Sequence, residues 1–397
     1  MAEILEAGIN YSELEEIKCS FGGNHSSGLP QHWIKAMVTT NKAVVLVVPT
    51  YKERDNITPL VQRIHHALSA TNYRVLFVDD DSSDGTKELV FALAKKYPVD
   101  ILVRENKRGL ASAVCDGLRH VAAEIAMVMD ADLQHPPEDL TNLLKRINDG
   151  ADLAIASRYV PGGGCQGWGL ARRLWSKGGI LLSHLLLPST RRVKDTMSGF
   201  FALRTQVINN ANLKPTGYKI LLEILIQGQY RNVAEVPYVF RTRSHGESKL
   251  SLRQQVDYLK HLYSLMRRSG ELWRFAKFGL VGASGILVNE GLLWLLTEFA
   301  GLVYLVSSVI AIETSIISNF VLNEYFTFRD RRRPSIKSIF GRLLKFNLVC
   351  LVGLLINLGV LWIFTSVVGI NYLISNLFGI ALAFLWNYFA NSMWTWE

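Results

Sequence analysis

The chain has 397 residues, 49% of them hydrophobic, and a formal charge of +9, so it is too long for one small domain. No aromatic-rich basic strand accompanies the charge, which argues against nucleic acid as a partner. The basic residues crowd beside apolar stretches instead, as Arg267-Arg268, Arg274, Lys277 and Arg331-Arg332-Arg333, where a membrane surface suits them. Four cysteines, Cys19, Cys115, Cys165 and Cys350, have no paired spacing, so neither a disulfide framework nor a zinc site is expected, and a reducing compartment is.

Residues 1–41 are polar and mixed, without a signal-peptide pattern, and read as a loosely ordered extension. Ala43 to Val48 is an apolar run closed by Pro49-Thr50-Tyr51-Lys52-Glu53, a strand that ends in a loop. Asp55 or Asn56 can cap the helix that follows, with Leu60, Ile64 and Leu68 on one face. A second strand, Val75 to Val78, ends in Asp79-Asp80-Asp81-Ser82-Ser83-Asp84-Gly85-Thr86, where Asp84 is the next candidate cap. Ile101 to Val103 is a third strand, and Asn106 to Gly109 turns into a helix through Leu118.

The fourth strand, Ile125 to Met129, runs into Asp130-Ala131-Asp132-Leu133-Gln134-His135. Period-two alternation would project Asp130 and Asp132 to one side, a spacing at which they could share a hard divalent cation. Strands alternating with helices predict a parallel, right-handed doubly wound α/β sheet whose functional loops open on one edge. Leu153 to Ala156 is a further strand, followed by Ser157-Arg158-Tyr159 and a glycine-rich loop from Gly162 to Gly169. Next comes a basic amphipathic stretch, in which Arg172, Arg173 and Lys177 accompany Trp168, Leu170, Trp175, Ile180, Leu181 and Leu182. It suits a membrane face. A second amphipathic helix, Leu252 to Met266, with Val256, Leu259, Leu262 and Leu265 at helical spacing, is expected to lie on the bilayer.

Four apolar segments follow, at roughly 275–299, 302–325, 343–368 and 371–393, each long enough for the ~20 residues that span a bilayer. The loop holding Arg329, Arg331, Arg332, Arg333, Lys337, Arg342 and Lys345 is cytoplasmic by the positive-inside rule, as is everything before residue 274. This half repeats with a period of 68 residues: Arg274, Phe278, Gly285, Asn319, Asn323 and Thr327 recur as Arg342, Phe346, Gly353, Asn387, Asn391 and Thr395. Each unit is a two-helix hairpin, so the repeats are expected to be parallel. Glu290 and Glu313 fall inside apolar segments, where an ionised carboxylate costs about 2.5–3.5 kcal/mol on insertion scales; both are expected to face the bundle interior.

One sheet edge thus offers Pro49, Tyr51 and Glu53, then Asp79-Asp80, then Asp130, Asp132 and Gln134. Neither a Gly-x-Gly-x-x-Gly nor a Gly-Lys-Thr/Ser loop is present to cradle phosphates. Aspartates in their place suggest a metal, magnesium or manganese, that neutralises the phosphates of a nucleotide.

The loops resemble those of the family 2 nucleotide-sugar glycosyltransferases, which have the GT-A fold, and most closely the dolichol- and polyprenyl-phosphate mannose synthases. The matching motifs are Val-Pro-Thr-Tyr-Lys-Glu (48–53), Val-Asp-Asp-Asp-Ser-Ser-Asp-Gly-Thr (78–86), Met-Asp-Ala-Asp-Leu-Gln-His-Pro-Pro-Glu (129–138) and Ser-Arg-Tyr (157–159). Asp-Thr-Met-Ser-Gly-Phe-Phe (195–201), Lys-Pro-Thr-Gly-Tyr-Lys-Ile-Leu (214–221) and Gly-Glu-Ser-Lys-Leu (246–250) complete them. Lys52 stands where the family usually has Asn. The membrane half is similar to a GtrA-like domain.

The resemblance implies a GT-A catalytic domain over 42–250, an interface helix over 251–272 and a four-helix membrane domain over 273–397. It implies that Pro49, Tyr51, Glu53 and Asp80 hold the base and ribose, and that Asp130, Ala131, Asp132 and Gln134 meet the diphosphate. Asp130, Asp132 and Gln134 would bind Mg2+ or Mn2+. Arg243 and Lys249 would close over the donor phosphates on a loop hinged at Gly246, and Arg158, Arg172 and Ser176 would hold a lipid phosphate. Asp132 and Arg158 are the residues expected to carry catalysis. The implied reaction is inverting transfer of mannose from GDP-mannose to dolichyl or polyprenyl phosphate at the cytoplasmic face. UDP-glucose as donor, or lipid flipping by the membrane half, are the alternatives. A processive polysaccharide synthase would carry Gln-x-x-Arg-Trp, absent here.

Overall fold

The computed structural model describes residues 44–214, 219–242, 252–332 and 335–397. Residues 1–43, Arg243, Gly246 and Lys249 therefore lie outside the described residues. The fully buried strand β1 (Val44–Thr50) is flanked by β2 (Tyr73–Asp79) and β4 (Ile125–Val128), with β3 (Val99–Val103) beyond β2, all parallel. Helices α1 (Arg54–Ala67), α2 (Thr86–Leu93) and α3 (Leu110–Arg119) make the crossovers, and α4 (Leu140–Asn148) follows β4. Strands β5 (Leu153–Ser157), β7 (Phe201–Arg204) and β8 (Val233–Pro237) complete the sheet in the order β3-β2-β1-β4-β7-β5-β8.

The sheet is mixed, which corrects the all-parallel expectation: β7 runs antiparallel to both β4 and β5. Its four residues return from the Asp195 loop and fill the gap between two strands that run the same way. A short ribbon pairs β6 (Gly164–Cys165) with β9 (Val239–Phe240).

Alternation along β1 splits the core. Val44, Leu46 and Val48 meet Ile57, Leu60 and Ile64 of α1 and Leu143 of α4 on one face. On the other, Val45 and Val47 meet Val114 and Leu118 of α3 and, through the same core, Leu221 and Ile224 of α6 (Ile220–Gln227). Helix α3 comes so close that a Cβ on Gly117 would lie 2.5 Å from Val47 Cγ1 and 2.9 Å from Val78 Cγ2. The expected caps differ in detail. Helix α1 begins at Arg54, so Asp55 and Asn56 lie inside its first turn, and Asp84 Oδ2 accepts the Arg54 N–H at 3.2 Å.

Helix α5 (Leu170–Leu186) turns an apolar stripe outward, with Leu170, Leu174 and Leu181 all more than half exposed. Helix α7 (Leu252–Arg268) exposes Val256, Leu259 and Tyr263 and buries Tyr258, Leu262 and Leu265 against Leu187 and Leu222. Glu223 of α6 anchors this helix: it is buried, accepts from Arg268 Nη2 at 2.5 Å and lies 3.0 Å from His261 Nε2.

Among the described residues, four helices are long and apolar enough to cross a membrane: α8 (Glu271–Glu298), α9 (Tyr304–Leu322), α10 (Ile336–Trp362) and α11 (Tyr372–Ala390). Both hairpins close in π-helical turns 68 residues apart, Asn323–Thr327 and Asn391–Thr395. The two positions that follow those turns, Phe328 and Trp396, stack on each other with centroids 4.4 Å apart and planes 9° from parallel. Stacked equivalents are the arrangement expected where a two-fold pseudo-axis passes between repeats. Glu290 and Glu313 do not face the bundle interior: both are exposed on the helix surfaces, and Glu290 accepts from the neighbouring Asn289 amide at 3.2 Å. The interior is occupied instead by Phe278, Phe320, Phe346 and Tyr388.

Candidate active site

The loops at the carboxyl ends of β1 to β4 share one local signature. Lys52, Asp81, Asn106 and Leu133 are the non-glycine residues with positive φ among those described, at 59°, 54°, 56° and 61°, and each such loop holds one. Left-handed backbone at a bulky residue is costly and collects where geometry serves a ligand. These loops form the edge at which open α/β sheets bind.

Asp79 organises the first loops from a fully buried position. Its carboxylate accepts from Thr50 Oγ1 at 2.9 Å and from Ser82 N and Oγ, both at 2.7 Å. Asp80 accepts from Gly109 N at 2.8 Å and meets Arg104 Nε at 3.1 Å; burial pushes its carboxyl above the ordinary range despite these partners. Pro49 lies within β1, opposite Val78. The Tyr51 ring carries Arg108 at 4.8 Å and Lys52 at 5.6 Å from its centroid. Glu53 accepts from Asn56 Nδ2 at 2.7 Å.

Strand β4 ends at Val128, so a loop rather than strand alternation sets Asp130 and Asp132. Asp132 is buried and its Oδ1 accepts the Gln134 N–H at 3.1 Å, closing a tight turn through Leu133, while Asp130 keeps 32% of its side chain exposed. Ala131 between them is buried. Gln134 is clamped to Arg241 in both directions: its Nε2 donates to the Arg241 carbonyl and its own carbonyl accepts the Arg241 N–H, each at 3.0 Å. That bond turns the amide nitrogen away and leaves its oxygen as the possible metal donor. His135 is fully enclosed, and burial drives its pKa down to about 4, so the ring is neutral. Its Nδ1 accepts the Asp130 N–H at 3.1 Å and is thereby occupied.

Among the described residues no group of three or more His, Cys, Asp or Glu forms a metal site. Two carboxylates and an amide oxygen fit a different case, a magnesium-type ion that takes a few protein oxygens and completes its shell with substrate phosphates and water.

Arg158, at the end of β5, is 8% exposed and bound to Asp195 through Nε and Nη2, each at 2.7 Å. Burial opposes its charge, but this pair outweighs it and keeps the guanidinium protonated. Three rings enclose it: Trp168, Tyr159 and Phe240, at 5.3, 5.5 and 5.8 Å. Ser176, on α5, accepts the Tyr159 hydroxyl at 2.8 Å, and Arg172 lies 4.3 Å from the Trp168 centroid. The same aromatic wall continues from Phe240 through Tyr238 to His135 and Phe200. The carboxylate turn and the arginine pair therefore flank a single wall.

Sequence reasoning did not single out Asp195, Lys219 or the aromatic wall. Lys219 donates to the Met197 carbonyl at 2.8 Å. Burial and the Arg158 charge bring its pKa down to about 8, while Asp130 and Asp195 pull the other way. Asp195 and Lys219 sat inside motifs already quoted, but their partners lie tens of residues away.

Over 353 residues the chain is 47% identical to the dolichol-phosphate mannosyltransferase of Pyrococcus furiosus, covering 89% of this chain and 99% of that protein. The chain belongs to the dolichol-phosphate mannosyltransferase family. It is 38% identical to the Saccharomyces cerevisiae dolichol-phosphate mannosyltransferase, over 55% of this chain and 85% of that one. It is 36% identical to the polyprenol monophosphomannose synthase of Mycolicibacterium smegmatis, over 54% and 84%. Residues 45–210 match glycosyl transferase family 2, and residues 277–396 match the GtrA/DPMS transmembrane domain family. This dolichol-phosphate mannosyltransferase family member is thus a glycosyltransferase whose catalytic α/β domain precedes a membrane domain.

Proposed function

We propose that the enzyme transfers mannose from GDP-mannose to a dolichyl or polyprenyl phosphate with inversion, giving the β-linked lipid sugar and GDP. The observation that carries this reading is the common aromatic wall between the Asp130–Gln134 turn and the Arg158–Arg172 pair, beside a helix with an exposed apolar stripe. A nucleotide sugar suits the carboxylate side and a lipid phosphate the arginine side. The names of the relatives, dolichol-phosphate mannosyltransferase and polyprenol monophosphomannose synthase, support mannose as the transferred sugar and a polyprenol-type phosphate as its acceptor.

On this reading Tyr51 stacks on the base, and Asp80 takes the base or ribose donors. Asp130, Asp132 and Gln134 hold a divalent cation, Mg2+ or Mn2+, which when bound offsets the charge of the leaving diphosphate. Arg243 and Lys249 would add charge from the loop outside the described residues. A lipid phosphate is already an anionic nucleophile near neutral pH, so no strong general base is needed. The protein's work is alignment and charge stabilisation: Arg158, fixed by Asp195, and Arg172 with Ser176 hold the phosphate oxygen behind the sugar C1. The domain limits at 42–250, 251–272 and 273–397, the cytoplasmic placement of the catalytic domain and the parallel repeats belong to the same proposal. They are supported by the basic loop before α10 and by the matched π-helical turns.

A donor panel tests it. Purified protein with one polyprenyl phosphate is offered GDP-mannose and UDP-glucose, each with magnesium, with manganese or with chelator. Metal-dependent β-mannosyl product from GDP-mannose is expected; glucose transfer, or a retained anomeric configuration, would overturn the reading.

A further inference from the structure

Two guanidinium groups lie against the indole of Trp168. Arg172 Cζ is 4.3 Å and Arg158 Cζ 5.3 Å from its ring centroid. The ring is itself fixed edge-on to Phe240, with centroids 5.4 Å apart. Phe240 belongs to β9, which pairs with β6 just before Trp168, and Arg241 next to it is the residue clamped to Gln134. The approach is tight on the other side too: Gly167 has φ +68°, and a Cβ there would meet Thr242 Cγ2 at 2.6 Å.

An indole face attracts a guanidinium more strongly than a phenyl or phenol face, and the attraction grows as water is excluded. Arg158 has its own carboxylate in Asp195, which fixes its position. Arg172 sits on a helix whose neighbouring residues are exposed, and the contact with Trp168 limits where its charge can point. We propose that Trp168 is a positioning residue for the acceptor: it holds Arg172 at a set distance from Arg158 so that both charges converge on one lipid phosphate. This rests on the acceptor reading given above. Trp168 acts through the arginines, not on the reacting atoms.

The test is a double-mutant cycle read on the acceptor. Trp168→Leu keeps apolar bulk but removes the π face, and Trp168→Phe keeps a weaker one in the same packing against Phe240. Apparent KM for polyprenyl phosphate is expected to rise by about threefold in Trp168→Phe and about tenfold or more in Trp168→Leu. The KM for the nucleotide sugar and kcat at saturating acceptor should change little. In the Arg172→Ala background the Trp168→Leu effect should largely vanish, because the group it positions is gone. An equal effect in both backgrounds would mark Trp168 as a packing residue only and overturn the proposal. So would unchanged acceptor KM in both Trp168 variants while Arg172→Ala raises it. If Arg172→Ala itself leaves the acceptor KM unchanged, the acceptor site has been misplaced, and this inference falls with it.

Discussion

Arg158 and Asp195, 37 positions apart, are joined in one plane by two hydrogen bonds of 2.7 Å, with the Arg158 backbone N–H adding a third to Asp195 Oδ2 at 3.0 Å. Asp195 is fully buried and Arg158 nearly so. Removing one partner of such a pair strands the other, at about 3–5 kcal/mol. Arg158→Ala should therefore lower both lipid-phosphate use and thermal stability, and Arg158→Lys, without the planar fork, should rescue neither fully. Melting curves and acceptor kinetics on the two variants check this; an Arg158→Ala protein as stable as wild type would contradict it.

The carboxylate turn gives a cleaner separation of chemistry from folding. Asp132 Oδ1 accepts the Gln134 N–H within its own turn, and Asp132→Ala should fold and yet lose transfer by about 100-fold or more, in line with the loss of a transition-state contact. Chelation of the wild type should mimic it, and added Mg2+ or Mn2+ should restore wild type but not the variant. Product formation under the three conditions is the measurement.

Lys219 interacts electrostatically with both Asp130 and Arg158, and a buried cation coupled to both should matter to the rate. Lys219→Met is expected to reduce kcat/KM by about one to two orders of magnitude, with Lys219→Arg recovering part of it. Equal kinetics in wild type and Lys219→Met would remove the residue from the site.

Stability at low pH should depend on Glu223. Burial raises its carboxyl, but hydrogen bonds from His261 and Arg268 outweigh that and hold it below the ordinary 4.5. A depressed folded pKa means stabilisation that is complete above the unfolded value and lost as pH falls through the folded one. Glu223→Gln should thus melt lower than wild type at pH 7, and the gap should narrow as pH falls below the ordinary glutamate range. A gap that stays constant down to acid pH would show that the ion cluster does not secure α7.

The repeating βα units and the four long helices were legible because hydrophobic period and length are local properties. So were the loop carboxylates, since each follows an apolar run. Strand β7 was not: Phe201-Ala202-Leu203-Arg204 is four residues long and buried on both faces, which leaves no alternation to read. Nor was the outward placement of Glu290 and Glu313, since a helix that is apolar all round carries no signal of which face meets its neighbours. Asp195 and Lys219 reach the site by return of the chain, and spacing along the sequence says nothing about such proximity. For Trp168 the useful sign was present, an aromatic among arginines, but it fits a membrane-facing stretch equally well.

The two hairpins differ at one telling position. Glu324 in the first hairpin binds Arg342 through two hydrogen bonds of 3.0 and 2.5 Å and the Trp396 indole at 2.8 Å. The corresponding place in the second hairpin is Ser392, whose carbonyl accepts from Arg191 of the catalytic domain at 2.9 Å and whose hydroxyl accepts from Arg331 at 3.1 Å. Arg342 belongs to the second hairpin, where it repeats Arg274, so Glu324 ties one hairpin to the other; Arg274 pairs instead with Glu271 and Asp330. With a serine at 392, the second hairpin offers a neutral acceptor to Arg191, and through it the catalytic domain is fastened to the membrane half.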